Sequence, residues 1–292
     1  MKVRGVTRLV HGMPTSDGAG VKLTRVIGQG RLPDLDPFLM LDEFGTDNPD
    51  DYIAGFPEHP HRGFETVTYM LDGRMRHRDN HGHEGVLVPG SVQWMTAGRG
   101  IVHSEMPEQQ EGRMRGFQLW INLPARDKLT EPKYQEYGPE KIPDAAVNGG
   151  ARVKVIAGRV GEVSGPIVQP ATDPIYLDIS LDGGAEFSQR LPAEHAAFLY
   201  VYEGAMRVGS GESATTVDAH ELAVLGDGDV VQLEGRPARA SAGRSGSAGA
   251  PSRAILVAGR PLREPVAKYG PFVMNTREEL MKAFEDYQSG RF

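Results

Sequence analysis

The sequence predicts an all-β protein made of two tandem β-barrels with a short C-terminal helix, and three observations support this fold class. Short β-rich runs are separated by turn residues throughout the chain, which contains 37 Gly and 21 Pro. Related runs recur in its second half, and paired histidines precede the first long run, as expected for a metal site inside a barrel. Short, regularly punctuated strands are typical of barrels and sandwiches.

Four candidate strands lie in the first half, at residues 64–71 (FETVTYML), 84–88 (EGVLV), 91–95 (SVQWM) and 115–123 (RGFQLWINL). In the first of them, Phe64, Thr66, Thr68 and Met70 alternate with Glu65, Val67, Tyr69 and Leu71. A period of two places alternate side chains on opposite faces of a sheet. We therefore expect this run to separate its side chains into two faces.

The second half repeats parts of the first. Residues 69–76 (YMLDGRMR) match residues 200–207 (YVYEGAMR), and residues 89–94 (PGSVQW) match residues 227–233 (DGDVVQL). Residues 196–202 (AAFLYVY) then form a predicted buried strand of the second copy. Self-similarity of this length indicates two fused copies of one β-domain.

The domain boundaries follow from composition. Residues 126–150 are polar and rich in Pro and Gly, which is typical of a connector. The sequence therefore predicts an N-terminal metal-binding domain over residues 1–130, a connector over 131–150 and a C-terminal domain over 151–292. Within the latter, residues 241–252 (SAGRSGSAGAPS) are low in complexity, as in a mobile loop.

The one predicted helix lies at the C-terminus. Thr276 and Glu279 have the spacing of a capping box. Gly290 closes the run, and the spacing predicts a helix of about three turns that serves packing rather than catalysis. Its apolar stripe consists of Leu280, Met281 and Phe284.

Composition excludes several classes of function. The formal charge is −7, and no block of Lys and Arg is present, so the sequence predicts no direct binding to nucleic-acid phosphates. No Cys is present, which removes disulfides, thiolate metal sites and a cysteine nucleophile. No apolar run approaches the ~18 residues of a membrane helix, and no secretory signal is apparent. We expect a cytoplasmic protein that does not bind membranes.

Two pairs of metal-ligating residues have the same spacing. His59 and His61 flank Pro60, and His103 and Glu105 flank Ser104. On a strand, residues i and i+2 point the same way, so these four side chains can close around one divalent ion with open positions left. Three imidazoles and one carboxylate suit iron, manganese, nickel, copper or zinc, and iron(II) is the usual choice for oxygen chemistry.

Other polar residues compete with this interpretation. Glu65 follows His61 by four residues and shares its face if the strand continues, so it could be a ligand, a partner that orients an imidazole or a rim residue. The pattern alone does not separate Glu65 from Glu105. A polar turn is predicted to hold His77, His81 and His83, and isolated positions without a metal role are expected for His11, His195 and His220.

The sequence resembles the pirin family of bicupins over nearly its whole length. The segments that carry the resemblance are residues 34–45, 56–73, 89–107, 116–124 and 259–276, which include the specific blocks HPHRGFET and QWMTAGRGIVHSE. The resemblance implies two cupin, jelly-roll-type barrels. It also implies that His59, His61, His103 and Glu105 are the metal ligands, usually of iron, and that Glu65 has a supporting role.

The second half departs from the metal pattern. Aligning Gly73 with Gly204 places Arg190 and Pro192 at the positions of His59 and His61. Aligning Gln93 with Gln232 places Ala242 and Arg244 near those of His103 and Glu105. We therefore expect the C-terminal barrel to be metal-free and structural.

The resemblance also implies an activity, quercetin 2,3-dioxygenase. Glu105 would be the catalytic residue, taking the proton of a flavonol 3-hydroxyl before O2 opens the ring and carbon monoxide leaves. A small aromatic substrate needs an apolar pocket. The predicted pocket residues are the walls Phe56, Trp94 and Phe117 and the polar contacts Arg62 and Gln118.

A second function comes from the same resemblance. Relatives in the family act as metal-dependent regulators that bind a transcription factor or a metabolic enzyme. In that case the redox state of the iron would change a surface loop and so the affinity for the protein partner. An enzyme needs a substrate-accessible metal position, whereas a regulator needs a metal-responsive surface.

Overall fold

A computed structural model describes residues 1–147, 149–236 and 250–292. The described residues form 26 strands and one α-helix, and packing divides them into two compact units. The first, called here the N-terminal barrel, consists of Met13–Lys141 and Leu262–Phe292. The second, called the C-terminal barrel, consists of Met1–Gly12 and Ile142–Pro261.

The strands up to residue 146 are β1 (Val6–His11), β2 (Met13–Asp17), β3 (Val21–Ile27), β4 (Phe38–Thr46), β5 (Phe56–His61), β6 (Phe64–Asp72), β7 (Met75–Asp79), β8 (Glu84–Leu87), β9 (Val92–Thr96), β10 (Ile101–Pro107), β11 (Met114–Asn122), β12 (Lys133–Tyr137) and β13 (Asp144–Ala146). The later strands are β14 (Ala151–Ala157), β15 (Arg159–Val160), β16 (Val163–Ser164), β17 (Ile175–Leu181), β18 (Glu186–Arg190), β19 (Ala196–Glu203), β20 (Ala205–Val208), β21 (Thr215–Asp218), β22 (Glu221–Leu225), β23 (Val230–Arg236), β24 (Ser252–Gly259), β25 (Ala267–Tyr269) and β26 (Phe272–Met274). The helix is α1 (Arg277–Gln288), and short 3-10 helices lie at Pro49–Asp51, Ala125–Asp127, Pro139–Lys141 and Gly211–Ser213.

Each barrel contains one seven-stranded and one four-stranded sheet, and a two-stranded sheet is added to each, β25-β26 in the N-terminal barrel and β15-β16 in the C-terminal barrel. In the N-terminal barrel the orders are β12-β9-β6-β11-β4-β3-β2 and β5-β10-β7-β8. In the C-terminal barrel they are β1-β22-β19-β24-β17-β14-β13 and β18-β23-β20-β21. The two orders correspond strand for strand, which confirms the predicted tandem β-barrels.

The core of the C-terminal barrel is made by aliphatic and aromatic side chains that alternate along its strands. Leu177, Leu199 and Leu256 from the seven-stranded sheet belong to one buried cluster with Phe187 and Val231 from the four-stranded sheet. Each fully buried side chain of this kind contributes about 1.5–3 kcal/mol relative to exposure. This core contains no part of the candidate metal centre.

The predicted alternation in residues 64–71 is present, but both faces of β6 are buried. Phe64 lies 5.1 Å from the His61 ring, and the Thr68 hydroxyl reaches Glu105, so this set of side chains faces the barrel interior. The opposite set, including Val67 and Tyr69, is also fully buried. The strand therefore occupies a position covered on both sides.

The packing corrects the predicted linear division into residues 1–130, 131–150 and 151–292. The N-terminal strand β1 pairs with β22 and is an edge strand of the C-terminal barrel. The predicted connector supplies β12 to one barrel and β13 to the other, and the boundary falls between Lys141 and Ile142. Residues 262–292, assigned from sequence to the C-terminal domain, pack in the N-terminal barrel.

The predicted C-terminal helix is confirmed with its capping box. The Glu279 N–H donates to Thr276 Oγ1 at 3.2 Å, and the Thr276 N–H donates to Glu279 Oε2 at 3.1 Å. Phe284 packs on Phe272 with ring centroids 4.8 Å apart. Met281 does not take part in this packing, because it is 54% exposed.

The strand order also tests the two predicted repeats. β6 and β19 occupy corresponding positions, which agrees with the match of residues 69–76 and 200–207. In the C-terminal barrel, the strand that corresponds to β9 is β22. Residues 230–233 instead belong to β23, which corresponds to β10. The match of residues 89–94 with 227–233 is therefore wrong. The placement of Ala242 and Arg244 depended on this match. Those two residues, and residues 241–249 of the predicted mobile loop, lie outside the described residues.

In the part of the chain that the structure describes, no helix is both long enough and apolar enough to cross a bilayer.

Candidate metal centre

The first histidine pair lies on an edge strand. β5 pairs only with β10 in its sheet, and Pro60 lies between His59 and His61. Pro lacks the N–H that a central strand would need on both sides, so an edge position tolerates it. The strand places both imidazoles toward the barrel interior, as the i, i+2 spacing predicted.

The second pair lies on the neighbouring strand. β10 runs antiparallel to β5, with His103 opposite His59 and Ile101 opposite His61. His103 and Glu105 are both buried, whereas Ser104 between them is partly exposed, so the two share the interior face. The register shifts between His103 and Glu105.

The strand of His61 ends immediately after it. Gly63 has a φ of +86°, a conformation that L side chains rarely adopt, and a Cβ there would lie 2.0 Å from the Val273 carbonyl oxygen. β6 then begins at Phe64 in the seven-stranded sheet. Glu65 therefore does not share the face of His61, and it accepts a hydrogen bond from Thr96 Oγ1 at 2.6 Å instead.

The three histidines converge on one point. Their ring centroids are 4.7 Å apart for His59 and His61, 4.5 Å for His59 and His103, and 5.0 Å for His61 and His103. One nitrogen from each ring lies within 4.8 Å of the others, which is close enough for a shared ion. The sequence predicted this cluster, although the structure alone shows that the rings meet.

The protonation of the cluster favours metal binding. Burial, together with the neighbouring imidazoles, lowers the pKa of His61 and that of His103 well below the ordinary histidine value. His59 Nδ1 lies 2.8 Å from the Pro57 carbonyl oxygen. Because a carbonyl only accepts, Nδ1 is the donor in this contact, which leaves Nε2 as the nitrogen that can face an ion.

Buried nitrogens without partners show that the residues fit a metal ion. Both ring nitrogens of His103, and Nδ1 of His61, are buried and have no hydrogen-bond partner among the described residues. Buried polar groups are normally paired, because leaving one unpaired costs about 1–3 kcal/mol. Neutral imidazoles that converge in this way form the donor set of a divalent transition metal.

Glu105 lies beside the three histidines but outside their cluster. Its Oε1 accepts from Thr68 Oγ1 at 3.0 Å, and its Oε2 accepts from Gln118 Nε2 at 3.1 Å. The carboxylate lines the same cavity as His59 and His61. Three of the four predicted ligands therefore cluster, whereas Glu105 shares their cavity and is held by two polar neighbours.

This cavity has a volume of about 720 Å³ and lies within the N-terminal barrel. Its size falls in the range of about 300–1,000 Å³ typical of small-molecule sites. Residues that line it near the histidines are Phe56, Glu105, Gln118 and Trp120. The predicted pocket residues Phe56 and Gln118 therefore lie where a ligand of this cavity would contact them.

Three predicted pocket residues do not line this cavity. Trp94 and Phe117 are almost fully buried within the strands β9 and β11. Arg62 donates to the Arg99 carbonyl and pairs with Asp286 at 2.9 Å, so it anchors helix α1. The prediction failed because aromatic and cationic residue types do not reveal which side of a strand or turn they occupy.

Sequence reasoning missed Trp120 and the pair formed by Arg25 and Asp42. Trp120 lines the cavity and packs on His61, with ring centroids 5.2 Å apart. It lies two residues after Gln118, so the strand period could have found it. Arg25 donates to both carboxylate oxygens of Asp42, at 2.9 and 2.7 Å, in the same cavity.

Four of the six remaining histidines test the predictions made for them. His81 and His83 lie in or beside a turn as predicted, but His77 lies on β7 and is 1% exposed, so its assignment to the turn is wrong. In the C-terminal barrel, Arg190 and Pro192 line a separate cavity of about 460 Å³ with His195. His195 is buried.

The paired sheets and the three-histidine cluster define a two-barrel cupin protein with a potential metal site. The Pirin family model matches residues 20–121, and the model of the Pirin C-terminal cupin domain matches residues 176–292. The chain is 54% identical over 293 residues to a pirin-like protein of Caulobacter vibrioides, with 100% of both chains covered. It is 43% identical over 287 residues to human pirin, covering 98% of this chain and 93% of that protein.

These matches extend over both barrels, and the chain belongs to the pirin family. A crystal structure of quercetin 2,3-dioxygenase from Acinetobacter baumannii superposes with a TM-score of 0.87 at 31% identity, covering 99% of this chain and 98% of that one. The bicupin fold expected from the sequence is thereby confirmed.

Proposed function

We propose that the protein is a metal-dependent dioxygenase of the quercetin 2,3-dioxygenase type. The observation that carries the proposal is the cavity of about 720 Å³ that contains His59, His61 and Glu105 beside an aromatic wall. The similarity to the Acinetobacter baumannii enzyme supports the same reaction class. In the proposed reaction a flavonol and O2 give a ring-opened ester and carbon monoxide. Both atoms of O2 enter the ester, and one carbon of the ring leaves as carbon monoxide.

His59, His61 and His103 would hold one divalent metal ion, with Glu105 as a fourth ligand or close neighbour. We propose iron(II), because vacant positions on iron suit oxygen chemistry, and the same donors accept other transition metals. When bound, the ion supplies a Lewis acid that lowers the pKa of a coordinated hydroxyl. The low pKa values of His61 and His103 keep these two rings neutral and able to bind it.

Glu105 is the proposed general base. Its carboxylate is 3% exposed and lines the cavity, and it accepts hydrogen bonds from two neutral side chains, Thr68 and Gln118. Neutral donors fix the carboxylate in place without cancelling its charge. It can therefore take the 3-hydroxyl proton of a bound flavonol, as general base catalysis requires.

The apolar part of the site would hold the planar substrate. Trp120 packs on Phe64 with ring centroids 4.4 Å apart, and this pair borders His61. Phe56 lies on the strand that carries the histidines, and Gln118 offers an amide. A planar aromatic ligand between these side chains would exclude water from the reacting hydroxyl.

The decisive experiment is anaerobic reconstitution with iron(II), followed by measurement of oxygen uptake and carbon monoxide release with quercetin. Wild-type protein should release carbon monoxide in proportion to the iron bound, and His61→Ala should not. Tight iron binding with no carbon monoxide would overturn the dioxygenase proposal. That outcome would instead support the metal-dependent regulator, and a protein partner would then be sought with the iron-loaded and iron-free forms.

A further inference from the structure

A second cluster of metal-ligating side chains lies in the N-terminal barrel, and it shares no residue with the three-histidine site. His77, His83 and Glu136 each place one ligand atom within 4.8 Å of the others. His77 Nε2 lies 2.7 Å from Glu136 Oε2, and His83 Nε2 lies 3.6 Å from the same oxygen. These distances bracket the separation of about 3.3 Å expected between two ligand atoms of tetrahedral zinc.

Two sheets contribute to this cluster. His77 lies on β7 and His83 immediately precedes β8, both in the four-stranded sheet, whereas Glu136 lies on β12 in the seven-stranded sheet. An ion at this place would therefore connect the two sheets of the barrel. β12 is an edge strand, so it gains most from such a link.

The side chains are held in position by a second layer of contacts. Tyr134 stacks on the His83 ring, with centroids 4.2 Å apart at 27°, and donates to Asp79 Oδ2 at 2.8 Å. Asp79 Oδ1 in turn accepts from the N–H groups of His81 and His83, at 2.8 and 2.9 Å. The stacked Tyr134 ring therefore packs against His83, and the backbone hydrogen bonds to Asp79 fix the turn that carries it.

The carboxylate is also held in place. Gln93 Nε2 donates to Glu136 Oε2 at 2.9 Å. This hydrogen bond fixes the side chain with its oxygens beside the two imidazoles.

Gly85 leaves space beside the cluster because it has no side chain. A Cβ at Gly85 would lie 2.5 Å from His77 Nε2 and 2.7 Å from Glu136 Oε1. His83 Nε2 is buried and has no hydrogen-bond partner among the described residues. The side chain of His83 is 40% exposed, so the cluster lies close to the surface.

We propose that His77, His83 and Glu136 form a second divalent-cation site, suited to zinc, that links the two sheets of the N-terminal barrel. Two imidazoles and one carboxylate are a donor set that zinc accepts, with water in the fourth position. The site does not depend on the dioxygenase proposal. The rival arrangement is an ion-free His–Glu–His contact that binds no metal.

The test is to remove metal from the purified protein with a chelator and then count zinc equivalents by calorimetry and elemental analysis. Wild type should bind two equivalents. His61→Ala should retain one, His83→Gln should retain one, and the double variant should bind none. His81→Gln is the matched control, because His81 lies in the same turn outside the cluster, and it should bind two.

The stability of His61→Ala gives an independent readout of the second site. Zinc should raise its unfolding temperature, because an ion that binds only the folded state stabilises that state, and adding His83→Gln should remove the effect. Failure of His61→Ala to bind zinc would overturn the second site. Retention of two equivalents by His83→Gln would overturn it equally, whatever the outcome of the carbon monoxide assay.

Discussion

His59 and His103 lie directly opposite each other on antiparallel strands, with their ring centroids 4.5 Å apart. A shift of one residue in this register would turn one ring out of the barrel, because side chains alternate along a strand. The pairing of β5 with β10 is therefore what forms the candidate metal centre. His61 joins it from the next interior position of β5.

Replacement of His61 should separate metal binding from folding. His61→Ala should lose high-affinity iron, because only two of the three clustered imidazoles remain. The metal-free variant should still fold, with a loss of unfolding free energy of about 1–3 kcal/mol from the vacated space beside Phe64 and Trp120. Metal content and thermal unfolding of both metal-free proteins measure the two effects. Complete unfolding of the variant would contradict the independence of the barrel from the ion.

Glu105→Gln should remove the proposed base and retain the metal held by the histidines. We expect turnover to fall by about 10²-fold or more, as for loss of a general base, with iron content kept near the wild-type level. The matched control is Glu58→Gln, because Glu58 is an exposed carboxylate that lines the same cavity. Glu58→Gln should keep wild-type kcat, and unchanged kcat in Glu105→Gln would remove Glu105 from the base role.

The two tryptophans of the chain should respond differently to the same substitution. Trp120→Leu removes an aromatic wall of the cavity and should raise KM for a flavonol about tenfold. Trp94→Leu should lower thermal stability and leave KM within twofold, because Trp94 is 1% exposed and does not line the cavity. Steady-state kinetics and thermal unfolding of both variants give the comparison. Equal KM values in the two variants would place the substrate elsewhere.

A buried lysine stabilises the N-terminal barrel. Lys128 Nζ donates to the Gly63 carbonyl, Asn122 Oδ1 and the Val273 carbonyl, at 2.8, 2.7 and 2.9 Å. Lys128→Met leaves these acceptors without their donor and should cost about 2–4 kcal/mol of unfolding free energy at neutral pH. Chemical denaturation measures the loss, and the exposed Lys133→Met is the control, expected to change little.

Lys128 should also make the free energy of unfolding depend on pH, and Lys128→Met should remove this dependence. Burial lowers the pKa of Lys128 from 10.5 to about 8, against smaller raising effects of Glu264 and Glu279. Between these two values the unfolded chain binds more protons than the folded one, so this residue makes stability rise with pH. The difference between wild type and Lys128→Met should therefore grow between pH 7.5 and pH 9.5, by on the order of 2 kcal/mol. A difference that shrinks over this interval would contradict the lowered pKa.

Local patterns in the sequence determined the features that depend on neighbouring residues. The alternation of residues 64–71, the i, i+2 histidine pairs and the capping box of Thr276 and Glu279 each need only a few consecutive positions. Strand and helix periods fix these relationships before any long-range contact forms. The repeat of residues 69–76 at 200–207 similarly predicted two barrels of one kind.

Tertiary structure alone decided the relationships between distant segments. It placed β1 at the edge of the C-terminal barrel and helix α1 in the N-terminal barrel, against the linear division expected from composition. It also determined that Trp120, and not Trp94, lines the cavity. It placed Glu136, which lies in the segment predicted to be a connector, next to His77. A strand's partner and the covering of its two faces depend on contacts across tens to hundreds of residues, which a local pattern does not contain.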